Sequence, residues 1–469
     1  MSPSKSGCRI GAMPHRLLLL LLAVCAFAVG IRVADGLTGP IEGHHAWRQT
    51  HVADNIEHYV SGPLTLEGRT MGEGVPAKFY DLPLYAWTVA VVVRPTSLDV
   101  ALTARLLNLL LLAAFLAASA GILHREGVGL GAASLVLLLV AISPLKVYYD
   151  RAVMPDNLAV TLSFASLLAL LTSGSSGLRF SLVLFLGALA TLIKPPVHVP
   201  VSVAVALLTV ARPALRRQGA VYLAAMMGAA AGFAVISSAV NGGLVATNSP
   251  GQNPLDWYFG PLSQRLIGQM WRELYDIHRL ILPAPLLALA VLGFGVEVYR
   301  RRWVAPALIA GHAAFVLLFF NVAYLHSYYH LAAVLPVCWL AVIPLSAFAT
   351  ELRHAFPAHG RVVGAGAAVV CVSLFMLVLR APQPRSGSAT YALEEATALR
   401  RVVPGDAYLI WVETGRWWDP QTHYFAQRRG RNVDASEAER VVNESLQRRL
   451  EVYVFDRQRR SVIRRAVPQ

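Results

Sequence analysis

The stretch HHAWRQTHVADNIEHY, residues 44 to 59, gathers side chains that bind anions and move protons. In a helix, Arg48, His51 and Asn55 share one face, and His44, Arg48 and His51 form a polar stripe at spacings of four and three. Arg48 offers a permanent, forked set of donors to a phosphate. Trp47 and Arg48 equally suit anchoring of a helix end at a membrane surface. His45 and Asp54 are candidates for proton transfer, with Gln49 and His44 as further substrate contacts. His44 and His45 are adjacent and His51 follows seven residues after His44, a spacing unlike HExxH, so no metal is expected on these histidines.

Four more short segments carry similar chemistry. In AKFYDLPLYAW, Asp81 precedes a proline and an apolar run; a carboxylate partly desolvated at a membrane rim is a stronger base, and the position also suits an N-cap. YYDRAVMPDN supplies Asp150, Arg151 and Asp156, the last also placed to cap a following helix. TLIKPPVHVP breaks a helix at two prolines beside Lys194, which either snorkels or holds an anion. LHSYYHLAAVLP brings His326, Tyr328, Tyr329 and His330, donors suited to phosphate oxygens or sugar hydroxyls, although interfacial tyrosines are also ordinary membrane anchors.

The elements that must position these residues are membrane helices. The 469 residues are 56% hydrophobic and 14% charged, an apolar surplus wrong for a soluble chain. Runs near 16–35, 101–123, 129–148, 157–174, 179–194, 196–212, 219–240, 280–298, 303–322, 330–350 and 361–380 make about eleven spans. The first is read as a retained helix following a cytoplasmic tail of residues 1–15, not as a cleaved signal peptide. That topology puts Arg125, Arg179, Arg212, Arg216, Arg217, Arg300, Arg301, Arg302, Arg353 and Arg361 at the cytoplasmic side. It sends residues 36–100, 146–157, 241–279 and 321–330 to the opposite face, where the chemistry gathers. Residues 81–93 are apolar but too short to span, and 271–280 read as an interfacial helix.

The net charge of +14 comes from arginines spread over short loops, 37 of them against 4 lysines. This is basicity of membrane orientation and of lipid headgroup or phosphate preference, not of nucleic-acid binding. Four cysteines lie in the N-terminal tail or in apolar runs, without disulfide or zinc spacing. From about residue 384 the composition turns soluble: 391–403 reads as a helix, 407–413 and 450–455 as strands, giving a small extracytoplasmic α/β domain over 384–469.

Taken as a set, HxWRQ, an acid before Pro-x-Tyr, RxxMPD, KP and HxYYxL resemble the multi-spanning GT-C glycosyltransferases that use polyprenyl-phosphate sugars, a group including the aminoarabinose transferase of lipid A and the protein O-mannosyltransferases. DPQTHYFAQRRGR, residues 419 to 431, resembles a terminal outer segment of a bacterial branch of that group. The resemblance implies an all-α polytopic GT-C domain over 16–383 in the plasma (inner) membrane, facing outward. It implies inverting transfer of a sugar from a polyprenyl-phosphate donor to a glycan, lipid or protein acceptor of the envelope, with no cofactor and no metal. Aligned on VADNI, the family's phosphate-binding arginine falls on Arg48 and its catalytic acid on His45, a departure that shifts the base towards Asp81 or Asp54. The family's later acid falls on Asp81 with Leu82 in place of its lysine, and its second-loop acid on Asp156. The rival reading is a transporter or flippase of a lipid-linked precursor. Such folds show internal repeats and midplane charges, and neither pattern is seen here.

Overall fold

The computed structural model of the chain describes residues 15–34, 36–41, 45–73, 79–173, 176–242, 254–359, 362, 366, 369, 372–373, 376–380, 389–413, 420–459 and 461–465. Helices α1 (His15–Ala34) and α2 (Ala46–Ser61) are followed by the short strand β1 (Gly72–Glu73) and by α3 (Leu84–Thr96), α4 (Val100–Arg125), α5 (Leu130–Ile142) and α6 (Pro144–Tyr149). Next come α7 (Asp156–Thr172), α8 (Gly177–Ile193), α9 (Pro195–Ala211), α10 (Arg216–Val240), α11 (Pro254–Phe259) and α12 (Gly268–Arg279). Helices α13 (Ala284–Tyr299), α14 (Val304–Leu318), α15 (Phe320–Leu325) and α16 (Val334–Ala355) complete the described bundle, a 3-10 segment over Ser327–Ala333 leading into the last.

Among the described residues, four helical stretches are long and apolar enough to cross a membrane: His15–Ala34, Val100–Arg125, Pro213–Val240 and Ser327–Ala355. The pair α12 and α13 passes the same test of length and apolarity only when taken together, and it is bent by 93° at the break between them. Helices α5, α7, α8, α9 and α14 are apolar but shorter. Their breaks fall where the sequence supplies prolines or a packed interior, as at Pro144 after α5 and Pro195–Pro196 after α8. Half of the expected span over 361–380 lies outside the described residues. Helix α12 carries its apolar residues on one face, in keeping with an interfacial helix, and α3 has only 13 residues.

Close packing fixes the bundle. A Cβ on Gly311 of α14 would lie 2.1 Å from the Pro200 carbonyl oxygen of α9, and one on Gly293 of α13 would lie 1.9 Å from that of Leu340 in α16. Glycine at these two points lets the backbones meet. Buried polar ties add register: Arg32 of α1 donates to Asp150 at 2.7 Å and to the Ala141 carbonyl at 2.6 Å, while Lys146 donates to the other Asp150 oxygen at 2.5 Å and to Asn157 at 2.8 Å. Asp150 is therefore a structural counter-ion beneath the loop.

The C-terminal unit contains α17 (Ala389–Val402), β2 (Tyr408–Val412), α18 (Pro420–Ala426), β3 (Gly430–Val433), α19 (Ala438–Gln447), β4 (Val452–Asp456) and β5 (Ser461–Arg465). Its sheet has the order β1-β3-β2-β4-β5, parallel except for β4 against β5. β2 is buried on both faces, as a central parallel strand must be. Leu409 and Trp411 face a core shared with Val52, Ile56, Tyr59 and Val89 of α2 and α3, whereas Tyr408, Ile410 and Val412 pack on Val441 and Val442 of α19. The small domain read from the sequence is thus joined to the first loop, which contributes both a strand and half of a core.

Candidate active site

Helix α2 begins at His45, whose backbone takes the left-handed conformation (φ 61°), rare for a residue with a side chain. Its carbonyl accepts from the amides of Arg48 and Gln49 at 2.9 and 3.1 Å. That start places Arg48 one turn in, pointing at the segment before α3. There the Arg48 guanidinium pairs with Asp81 and lies over the Tyr80 ring, its centre 5.2 Å away. Asp81 makes no cap for α3, whose N-terminal residue Pro83 has no side-chain hydrogen bond.

Lys194 stands at the junction of α8 and α9, where two prolines end one helix and start the next. Its ammonium is 3.6 Å from Asp81, 3.2 Å from Asp156 at the start of α7, and 4.8 and 5.4 Å from the ring centres of Tyr328 and Tyr329. Two cations and two carboxylates therefore form one buried network. His326 stacks on Tyr328 at 5.1 Å, and His45 packs against both rings at 5.1 and 5.0 Å. The 3-10 segment holds these side chains in place through the Tyr149 hydroxyl, 2.7 Å from Ser327 Oγ.

A cavity of about 340 Å³ opens over this network. Its polar wall is Arg48, Asp81, Lys194, His326, Tyr328 and Tyr329; its apolar wall includes Phe233, Trp257 and Phe319. A second cavity of about 50 Å³ lies on the first-loop side, with Arg48, Tyr80 and Asp81 common to both. The ion pair is the partition between a large half-apolar chamber and a small one beside α2.

Electrostatics follows from burial. Burial opposes the Arg48 charge, but Asp81, Tyr328 and Asp156 together hold the guanidinium's pKa above its ordinary value. Burial, seconded by Arg48, pushes the His51 imidazole well below its usual range, so it is neutral beside Asn55, whose Nδ2 is 3.2 Å from His51 Nε2. The Tyr258 phenol in α11 is pushed up to about 12 by burial and by Asp81 and remains a donor.

The structure gathers Arg48, Asp81, Lys194, His326, Tyr328 and Tyr329 at the cavity, with Asp156 behind Lys194 and His45 packed against the His326 and Tyr328 rings. It does not bring the other expected residues to the cavity. Asp54 is turned towards the first loop, its carboxylate accepting the Met71 amide at 2.6 Å. Gln49 is a scaffold, accepting the Val153 amide at 3.1 Å. Arg151 lines neither cavity, and its carbonyl is taken by Arg105 at 3.0 Å. His330 is buried away from the chamber, facing His312 and the Ala323 carbonyl. His44 lies outside the described residues. Sequence reasoning missed Tyr80, Phe233, Trp257, Tyr258 and Phe319; only Tyr80, next to Asp81, carried a local signal.

The fold is that of the GT-C membrane glycosyltransferases. The chain is similar over 94% of its length, and 93% of the other chain, to ArnT from Cupriavidus metallidurans bound to undecaprenyl phosphate, with a TM-score of 0.61 at 13% identity. It is similar over 94% of its length and 69% of the other to the oligosaccharyltransferase AglB from Archaeoglobus fulgidus, in complex with an inhibitory peptide and a dolichol-phosphate (TM-score 0.59, 12% identity). It also matches the arabinofuranosyltransferase AftD from Mycobacteria over 92% of its length but only 35% of that chain (TM-score 0.53, 14% identity). Residues 27–256 match the family described as "Predicted membrane protein (DUF2142)". A comparison with curated protein sequences finds no match.

Proposed function

We propose that this membrane protein transfers a sugar from a polyprenyl-phosphate donor to an envelope acceptor on the extracytoplasmic face of the plasma membrane, with inversion at the anomeric carbon. The observation that carries the reading is the chamber in which Arg48 and Lys194 face an apolar wall, a combination suited to a phosphate with a lipid tail. The donor phosphate takes Arg48 and Lys194 as counter-ions, with hydrogen bonds from Tyr328 and His326. Its arrival draws Arg48 from Asp81 and leaves that carboxylate as the base. An acceptor hydroxyl or amine, reached from the smaller cavity, gives its proton to Asp81 as its oxygen or nitrogen bonds to the anomeric carbon and the carbon–oxygen bond to phosphate breaks. The departing phosphate monoester is stabilised by the two fixed cations, which is the largest contribution expected in a water-poor site. The neighbours crystallised with undecaprenyl phosphate or studied with a dolichol-phosphate support a donor of this class.

The test is release of polyprenyl phosphate by purified protein from a panel of undecaprenyl-phosphate hexoses and pentoses, with envelope extract as acceptor. Arg48→Ala and Asp81→Asn should each lower turnover by roughly 100-fold or more while remaining folded in detergent. Full turnover in both folded variants would overturn the site.

A further inference from the structure

Three histidines from separate elements meet behind the wall of the chamber: His278 at the end of α12, His312 in α14 and His330 in the 3-10 segment. Their ring nitrogens lie within 4.8 Å of one another, with His278 Nε2 and His330 Nδ1 each 3.2 Å from His312 Nε2. The protons can be assigned from the outer partners. His278 Nδ1 is 2.6 Å from the Leu274 carbonyl and His330 Nε2 is 2.9 Å from that of Ala323. A carbonyl only accepts, so both of those nitrogens carry the hydrogen, and the nitrogens facing His312 are lone pairs.

His312 then has no arrangement that satisfies the group. With its proton on Nε2 it can serve the two lone pairs only by sharing, and its Nδ1 is left as a buried acceptor without a partner among the described residues. With its proton on Nδ1, three lone pairs confront one another and the donor has no acceptor. The second state places three lone pairs at one point, which is what a cation satisfies; His312 Nδ1 is without a partner among the described residues in either state.

We infer that His278, His312 and His330 bind a divalent transition-metal ion, Zn²⁺ best. Two imidazole ligands at 2.0–2.1 Å on a tetrahedral ion stand about 3.3 Å apart, close to the two 3.2 Å separations to His312, while all three nitrogens lie within 4.8 Å of one another. An imidazole-only set selects late first-row ions over Mg²⁺ or Ca²⁺. The Leu274 and Ala323 carbonyls orient two of the rings, as outer partners of metal-bound histidines do. Water or hydroxide fills the fourth position. None of the three rings lines the chamber, so the ion is a clip: it ties α12 and α14 to the segment that presents Tyr328 and Tyr329. The inference holds whether or not the chain transfers a sugar.

The experiment is metal analysis of the full-length protein, purified in detergent through a tag free of histidine and without added chelator. Wild type should carry about one zinc per chain and, after exchange, show the visible bands of tetrahedral Co²⁺. His312→Ala and the half-buried His278→Ala should lose both the zinc and the bands. Wild type should also melt lower after chelation and recover with Zn²⁺, a readout independent of any variant's folding. Wild type without zinc, giving no Co²⁺ bands and no Zn²⁺-dependent melting shift, would overturn the proposal and leave a proton-sharing cluster. Zinc retained in full by both variants would overturn it equally.

Discussion

At the scale of single residues, the site is a balanced set of charges: Arg48 and Lys194 against Asp81 and Asp156. Buried ion pairs stabilise little compared with well-packed apolar residues, and removing one partner costs about 3–5 kcal/mol. Such a network is better explained by a ligand that enters it than by folding. Asp54 presents the contrasting case. Burial, with Glu57 nearby, raises its pKa well above the ordinary carboxylate range, and the Met71 amide only partly offsets this. A group whose pKa is raised on folding supports the fold while protonated, and that support is lost as pH climbs through the folded-state pKa. Melting of the solubilised protein should therefore fall as pH rises above the ordinary carboxylate range, with Asp54 contributing to the fall. Asp54→Asn, still able to accept from Met71, should show a smaller fall; an identical pH profile would show that Asp54 does not titrate there. Much of this gathering was legible in the sequence, because polar residues at one end of a row of apolar spans must converge. What was not legible is direction. Arg151 and His330 sit in the right segments, but Arg105 and the histidine cluster, each from a distant element, decide where they belong.

Among elements, the apolar runs located most of the described bundle helices to within a few residues. Breaks inside spans, such as Pro144 after α5 and Phe319 between α14 and α15, escaped the reading, since a hydropathy run continues across a break that protein shields. β1 and β3, two and four residues long, carry too few side chains for a period-2 pattern to stand out. Close helix contacts are equally silent in a leucine-and-alanine-rich sequence, yet they are testable. Gly311→Ala places a methyl group against the Pro200 carbonyl and must push α14 from α9, at a cost of about 1–3 kcal/mol. Gly295→Ala, one helix away with nothing within 4 Å of the added carbon, should be neutral or slightly stabilising. Equal melting temperatures for the two variants would show that the α9–α14 contact is looser than drawn.

Across the whole molecule, the C-terminal unit and the first loop are one folded body. β1 from the loop pairs in parallel with β3, extending a sheet whose centre is β2, and the Gly430 amide donates to the Met71 carbonyl at 3.0 Å. Leu399, Trp411 and Phe425 cover the side of α2 and α3 that carries Val52, Ile56, Tyr59 and Val89. Fully burying each such side chain is worth about 1.5–3 kcal/mol, so uncovering that face removes much of what holds α2 in position. Arg48 sits on the same helix, and its reach to Asp81 depends on that position. A chain ending at residue 388 should therefore insert in the membrane through its apolar helices but lose the order of its first loop. Limited trypsin digestion measures this directly: cleavage at Arg48, buried in the intact protein, should appear in the truncated chain under conditions where the full chain survives. Persistent protection of Arg48 after truncation would mean that the membrane helices alone hold α2 over the chamber.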